Sequence, residues 1–275
     1  MGTGRGEQTR TPVALAIAGS DSGGGAGIQA DLKAFAAVGV HGTTAVTAIT
    51  AQNTVAVTAI HPIPAEVIVA QVEAVAGDIG VDAVKVGMLG TAETTAAVVA
   101  ALEAVGAAPI VVDPVMVAES GARLLDESAR DALVARLLPR ATVATPNIPE
   151  ARALLGAGEE VGVADLAAGV RKLGPDAVIV TGGHADGTDL LDDGAGQLPI
   201  GGPVHPEGAA HGSGCTHSST LAALLALGFP LRAAAQEARR RAAAAVAAGL
   251  RDVGHGPGPV DALGIAGRRP HPPLP

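Results

Sequence analysis

The chain has 275 residues, 48% of them hydrophobic, enough for a substantial core in one large α/β domain or two small ones. Phe35 and Phe229 are its only aromatic residues, and the formal net charge is −9. These two facts exclude an aromatic platform for single-stranded nucleic acid and a basic surface for nucleic acid or anionic membrane. The single cysteine, Cys215, cannot form an internal disulfide, in keeping with a reducing, cytoplasmic setting.

Residues 1–10 lack the apolar stretch of a signal peptide, and no apolar run reaches membrane-spanning length without interruption. Residues 1–11 and 267–275 read as disordered tails of a single domain covering 12–266. Strand-like runs at 13–18, 43–50, 83–86, 110–113, 142–145 and 177–181 alternate with helical stretches. That order predicts a central, mostly parallel sheet flanked by helices. Ile28, Leu32 and Phe35 are spaced as one helical face, as are Ile68, Val72 and Val75. Asp31 falls within the first face, where a carboxylate is either held by structural donors or used in binding. Pro149 suits the first turn of a helix running to Leu155. Residues 188–204 read as an antiparallel edge, and helices over 218–227 and 231–250 complete the chain.

Ligands of such sheets bind beyond the carboxyl ends of the strands. Gly19, Gln52, Gly87, Asp113, Asn147, Gly182 and Gly212 all fall there. In the first loop, Gly25-x-Gly27-x-x-Ala30 has the form of a dinucleotide fingerprint, but no acid follows between Asp31 and Glu66 to hold a ribose. Lys33, Lys85 and Lys172 are the only lysines and none follows a glycine, which excludes a P-loop. Gln52 and Asn53 are loop residues or the reader of a heterocycle edge. Asp113 and Glu150 place acids near the crevice where Mg²⁺ could bind, and Asn147 with Glu150 also has the spacing of a capping box. The segment His211-Gly212-Ser213-Gly214-Cys215-Thr216 opens a helical stretch. Two glycines and a helix start gather N–H donors into an anion cradle, where a thiol is biased toward thiolate. The alternative is a small buried residue in a glycine-rich helix start. No histidine pair has zinc spacing with Cys215.

The run Ala18-Gly19-Ser20-Asp21-Ser22-Gly23-Gly24-Gly25-Ala26-Gly27-Ile28-Gln29-Ala30-Asp31-Leu32-Lys33 resembles the opening signature of the hydroxymethylpyrimidine/phosphomethylpyrimidine kinases of thiamine biosynthesis. The segments Thr50-Ala51-Gln52-Asn53-Thr54, Lys85-Val86-Gly87-Met88-Leu89, Asp113-Pro114-Val115-Met116-Val117, Thr145-Pro146-Asn147-x-x-Glu150 and Gly182-Gly183-His184 match in order, as does the Cys215 segment. The resemblance implies a ribokinase-like fold without a separate lid domain. It also implies ATP- and Mg²⁺-dependent phosphorylation of a hydroxymethylpyrimidine and of its monophosphate, and a homodimer. By the same resemblance, Gln52, Gly19, Asp31, Met88 and Val115 line the substrate pocket. Asn147, Glu150, Thr181, Gly183 and His211 serve ATP, and Asp113 and Glu150 the metal. Gly212, Ser213, Gly214 and Cys215 carry the transfer, with Cys215 as base where related sugar and pyridoxal kinases have Asp. Glu119, Thr181 and Ala210 depart from the commoner pattern, with two positive charges fewer near a triphosphate. A pyridoxal kinase and a non-catalytic pyrimidine- or nucleotide-binding protein are the alternatives.

Overall fold

Strand β1 (Val13–Ala18) is buried along its whole length, and its sequence alternates large with small. Leu15 and Ile17 enter one hydrophobic cluster, while Ala14 and Ala16 enter another on the opposite face. The structure is a computed structural model describing residues 10–116, 127–182 and 187–268. Its strands continue as β2 (His41–Val46), β3 (Ala48–Gln52), β4 (Val57–Pro62), β5 (Ala83–Val86) and β6 (Ile110–Val112). They end with β7 (Val143–Ala144), β8 (Ala177–Val180), β9 (Asp189–Asp192) and β10 (Gln197–Ile200). Eight of them form one sheet in the order β10-β9-β8-β7-β6-β5-β1-β2, parallel from β8 to β2 and antiparallel at the β9 and β10 edge.

Helices α1 (Gly27–Ala37), α2 (Ala65–Asp78), α3 (Ala92–Ala101), α4 (Glu127–Ala132), α5 (Ile148–Leu155), α6 (Val163–Arg171), α7 (Ser213–Ala226) and α8 (Leu231–Ala247) cover both faces. The larger cluster seats α2, α3, α5 and α6 on the Leu15 face; the smaller seats α1, α7 and α8 on the Ala14 face. Alanine strand positions there let α7 approach the sheet closely. No helix among the described residues is long and apolar enough to cross a membrane.

Three expectations change in detail. The single strand over 43–50 is two, broken at Thr47, whose N–H bonds the Ala18 carbonyl and whose Oγ1 bonds the Met88 carbonyl. Beyond the break the chain leaves the main sheet, and β3 pairs with β4 as a separate antiparallel ribbon. The inward face of α1 is Ala30, Asp31, Ala34 and Phe35; Ile28 and Leu32 flank it, half-buried. Helix α7 begins at Ser213, not 218, so the glycine cradle is its first turn. Arg10 pairs with Asp82 at 3.1 Å, and Ala266–Arg268 forms a short 3₁₀ turn.

Candidate active site

Asp21 organises the loop after β1. Its Oδ1 accepts the Gly23 N–H at 2.8 Å, and its Oδ2 accepts those of Gly25 and Ala26 at 3.0 and 2.8 Å. The same Oδ2 lies 3.0 Å from His211 Nε2. Burial alone would push this carboxyl up; His211 and the loop amides outweigh it and hold the group below the usual carboxylate range. The Met88 side chain lies over Gly19, where any Cβ would collide with it. Gln52 N–H donates to Ser22 Oγ at 2.8 Å, which fixes β3 against the loop. A cavity of about 210 Å³ opens here, lined by Gln52, Asn53, Thr54, Val55, His211, Gly256 and Pro257.

Behind these residues lies a buried charge cluster. Asp31 Oδ1 accepts Lys85 Nζ at 2.9 Å and Ser219 Oγ at 2.6 Å, while its Oδ2 has no partner among the described residues. Lys85 Nζ is also 3.7 Å from Asp113 Oδ2, which accepts Ser218 Oγ at 2.8 Å. A fully buried lysine is tolerated only with such partners. The two carboxylates raise its pKa against the desolvation that would lower it.

The first turn of α7 stands in front of that cluster. Gly212 has φ +82°, and a Cβ there would strike the Gly25 carbonyl. Beside Gly214 the space is open. The Ser213 N–H donates to the Ala210 carbonyl at 2.9 Å, so this one of the expected cradle donors is already engaged. Cys215 is half-buried and its sulfur accepts the Gly27 N–H. Its thiol is pushed up to about 12, chiefly by burial, with Asp31 and Asp113 adding to the rise and Lys85 opposing it. The expected bias toward thiolate is therefore reversed: two nearby carboxylates and burial outweigh the helix start.

Across the sheet ends, Glu150 N–H donates to Asn147 Oδ1 at 2.8 Å and Asn147 N–H to Glu150 Oε2 at 3.0 Å, the capping box anticipated from spacing. Asn147 and Thr181 form an isolated parallel bridge. Burial, then the charge of Asp113, pushes the Glu150 carboxyl well above its ordinary value. Two carboxylates close enough to repel one another are a hard-oxygen donor pair suited to Mg²⁺, which takes one or two protein carboxylates and completes its shell with phosphate and water. Val115, half-buried, donates its N–H to the Asp113 carbonyl at 2.8 Å. Gly183, His184 and Glu119 lie outside the described residues.

Residues 21–261 match the family model described as phosphomethylpyrimidine kinase. The chain belongs to that family. It is 48% identical over 257 residues to a hydroxymethylpyrimidine/phosphomethylpyrimidine kinase of Rhizobium meliloti, covering 91% of this chain and 96% of that one. Among solved structures it resembles the phosphomethylpyrimidine kinase of Clostridium difficile, with TM-score 0.73, 39% identity, and 82% and 96% of the two chains covered. The pyridoxal kinase of Staphylococcus aureus in complex with ADP gives TM-score 0.84 at 35% identity, over 94% and 95%. The fold is thus the ribokinase-like one these kinases share.

The phosphomethylpyrimidine kinase signature gathers into two neighbourhoods. Gly19, Gln52 and Met88 lie together at the first loop, and Asp113, Asn147, Glu150 and Thr181 along the adjoining strand ends. Cys215 and Asp31 stand between, coupled through Lys85. His211 is held by Asp21 and lines the Gln52 cavity. Asp21, Lys85, Ser218 and Ser219 carry roles that residue spacing did not bring out. Lys85 did leave a signal: it is a lone cation inside the apolar strand Ala83–Val86, whose neighbours Val84 and Val86 point to the other face.

Proposed function

We propose that the chain transfers the γ-phosphoryl group of ATP to a hydroxymethylpyrimidine and then a second group to the resulting monophosphate. The observation that carries this reading is that α7 links the Gln52 cavity, lined by His211 just before its first turn, to Asp113, which accepts Ser218 Oγ. In each transfer an acceptor oxygen bonds to the γ-phosphorus, the bond to the bridging oxygen breaks, and ADP leaves with that electron pair. Gln52 orients the ring, and Met88 over Gly19 shapes the pocket wall. Asp31 offers its unpartnered Oδ2 to a donor on the acceptor. The N–H groups at Gly214 and Cys215, beside open space, are aimed where equatorial oxygens gain charge. Asp113 and Glu150 would hold Mg²⁺, which when bound offsets phosphate charge. Asn147 and Thr181 border the nucleotide.

In this reading Cys215 takes the acceptor hydroxyl proton in the first transfer. Burial pushes its thiol up in the free protein, so this role requires that ligands engage Asp31 and Asp113 and leave the Lys85 charge facing the sulfur. The second acceptor is already an anion and needs no base. A homodimer is part of the same reading. Its support is the β3–β4 ribbon, which leaves Ile49 and Ile60 48% and 45% exposed, although two strands alone are marginal in water.

The test is ADP release with ATP, Mg²⁺ and the hydroxymethylpyrimidine, its monophosphate, or pyridoxal. Turnover of both pyrimidines is expected. Turnover of pyridoxal alone would move the chain to the pyridoxal kinases it also resembles.

A further inference from the structure

A second transfer demands something the first does not: the pocket must hold a phosphomonoester as acceptor. The chain is acidic, and its cations near the site are committed. Lys85 is fully buried between Asp31 and Asp113, and Lys33 Nζ donates to the Gly24 carbonyl at 2.6 Å. Among the described residues lining the Gln52 cavity, His211 is the only one able to carry positive charge.

Its ring is fixed in orientation. The Cδ2–Nε2 edge lies on Gly25, where a Cβ would meet both atoms, and Nε2 is bonded to the Asp21 carboxylate. A carboxylate on Nε2 makes that nitrogen the donor, leaving Nδ1 on the ring's other side. Asp21 is itself pinned by three loop amides, so the ring cannot turn without breaking the loop. His211 also directly precedes Gly212, which places it between the residues that hold the ring of the acceptor and the turn that receives the transferred group.

We propose that His211 is the residue that binds the acceptor phosphate in the second transfer, using Nδ1 while Asp21 holds Nε2. In the protonated ring both nitrogens donate, one to Asp21 and one to the phosphate. The free alcohol has no such group, so His211 separates the two acceptors instead of serving both. The inference rests on the two-step reading above.

The test is calorimetric binding of the pyrimidine alcohol and of its monophosphate, without ATP, to the wild type, His211→Gln and His211→Asn, with steady-state kinetics in parallel. Gln places an amide nitrogen near the position of Nε2 and keeps the Asp21 contact; Asn places one near Nδ1. For His211→Gln, monophosphate affinity should fall about ten-fold or more, the scale of one charge-assisted hydrogen bond, with alcohol affinity within about two-fold. His211→Asn should recover part of the loss. KM for the monophosphate should rise in step, and by more than KM for the alcohol. Equal losses for both ligands, or none for the monophosphate, would overturn the assignment. If His211→Gln loses monophosphate affinity selectively but the wild type transfers to neither pyrimidine, the kinase reading fails while His211 remains a phosphate-binding residue.

Discussion

Lys85 Nζ lies 2.9 Å from Asp31 Oδ1, and this buried pair sits directly behind Cys215. Because Cys215 is the only cysteine, its ionisation can be followed in the whole protein by alkylation with iodoacetamide. With the thiol pushed up to about 12, the alkylation rate of the ligand-free protein should keep rising with pH through the range where an ordinary thiol levels off. Asp31→Asn removes a negative neighbour and should speed alkylation at fixed pH, whereas Lys85→Met removes the opposing positive charge and should slow it. A plateau near neutrality would show that the helix start controls the sulfur after all.

Gly212→Ala tests the turn that begins α7. The residue has φ +82°, and its Cβ would collide with the Gly25 carbonyl. The left-handed conformation alone costs about 1–2 kcal/mol in a non-glycine residue. Both transfers should be lost and Tm should fall by several degrees. Gly214→Ala meets nothing within 4 Å in the ligand-free protein and should leave Tm nearly unchanged while weakening nucleotide-dependent turnover.

Gln52→Ala should weaken pyrimidine binding by about ten-fold, the scale of one or two lost hydrogen bonds, and leave ADP binding unchanged. Gln52 lines the cavity and belongs to the side opposite the Asn147–Thr181 bridge. Calorimetry with each ligand separately distinguishes this from general loss of fold, which would depress both.

His217 supplies a pH prediction. It is buried on α7, its Nε2 is 3.4 Å from Asp189 Oδ2, and neither ring nitrogen has a hydrogen-bond partner among the described residues. Burial lowers its pKa, with Arg239 assisting and Asp189 and Asp113 opposing. The unfolded chain therefore binds a proton near pH 6.5 that the folded one refuses, so stability is lost as pH falls below that value. His217→Gln carries an amide that does not titrate and should show a shallower fall in Tm between about pH 6.5 and 5. Parallel curves would mean that His217 titrates alike in both states.

Much of this architecture is visible in the chain because the strands are short apolar runs with one plausible boundary, as in Val13–Ala18 and Ala83–Val86. The errors share one cause. Thr47 looks like any strand residue until its bonds to Ala18 and Met88 draw the chain out of the sheet. The α1 face is set by the small residues of α7, which permit an Asp–Lys–Ser contact where local periodicity pointed to Ile28 and Leu32. From its own turn the Cys215 thiol reads as an electropositive site or a small buried residue; the burial that chiefly raises it, and the added charges of Asp31 and Asp113, come from segments remote in sequence. Candidate site residues were legible as motifs; the charges they exert on one another are a property of the fold.

The contact between Asp21 and His211 spans 190 positions, and Thr54 Oγ1 accepts the N–H groups of His255 and Gly256, 201 and 202 positions away. A nascent chain emerging from the ribosome thus carries the whole first loop and ribbon long before their partners exist. Contacts of this separation form slowly and late. Until residue 211 is made, Asp21 has no imidazole to hold, and until residues 256 and 257 are made the Gln52 cavity lacks its far wall. Loss of the segment around 254–259 would leave a protein with most of its sheet and a Gln52 cavity open on one side.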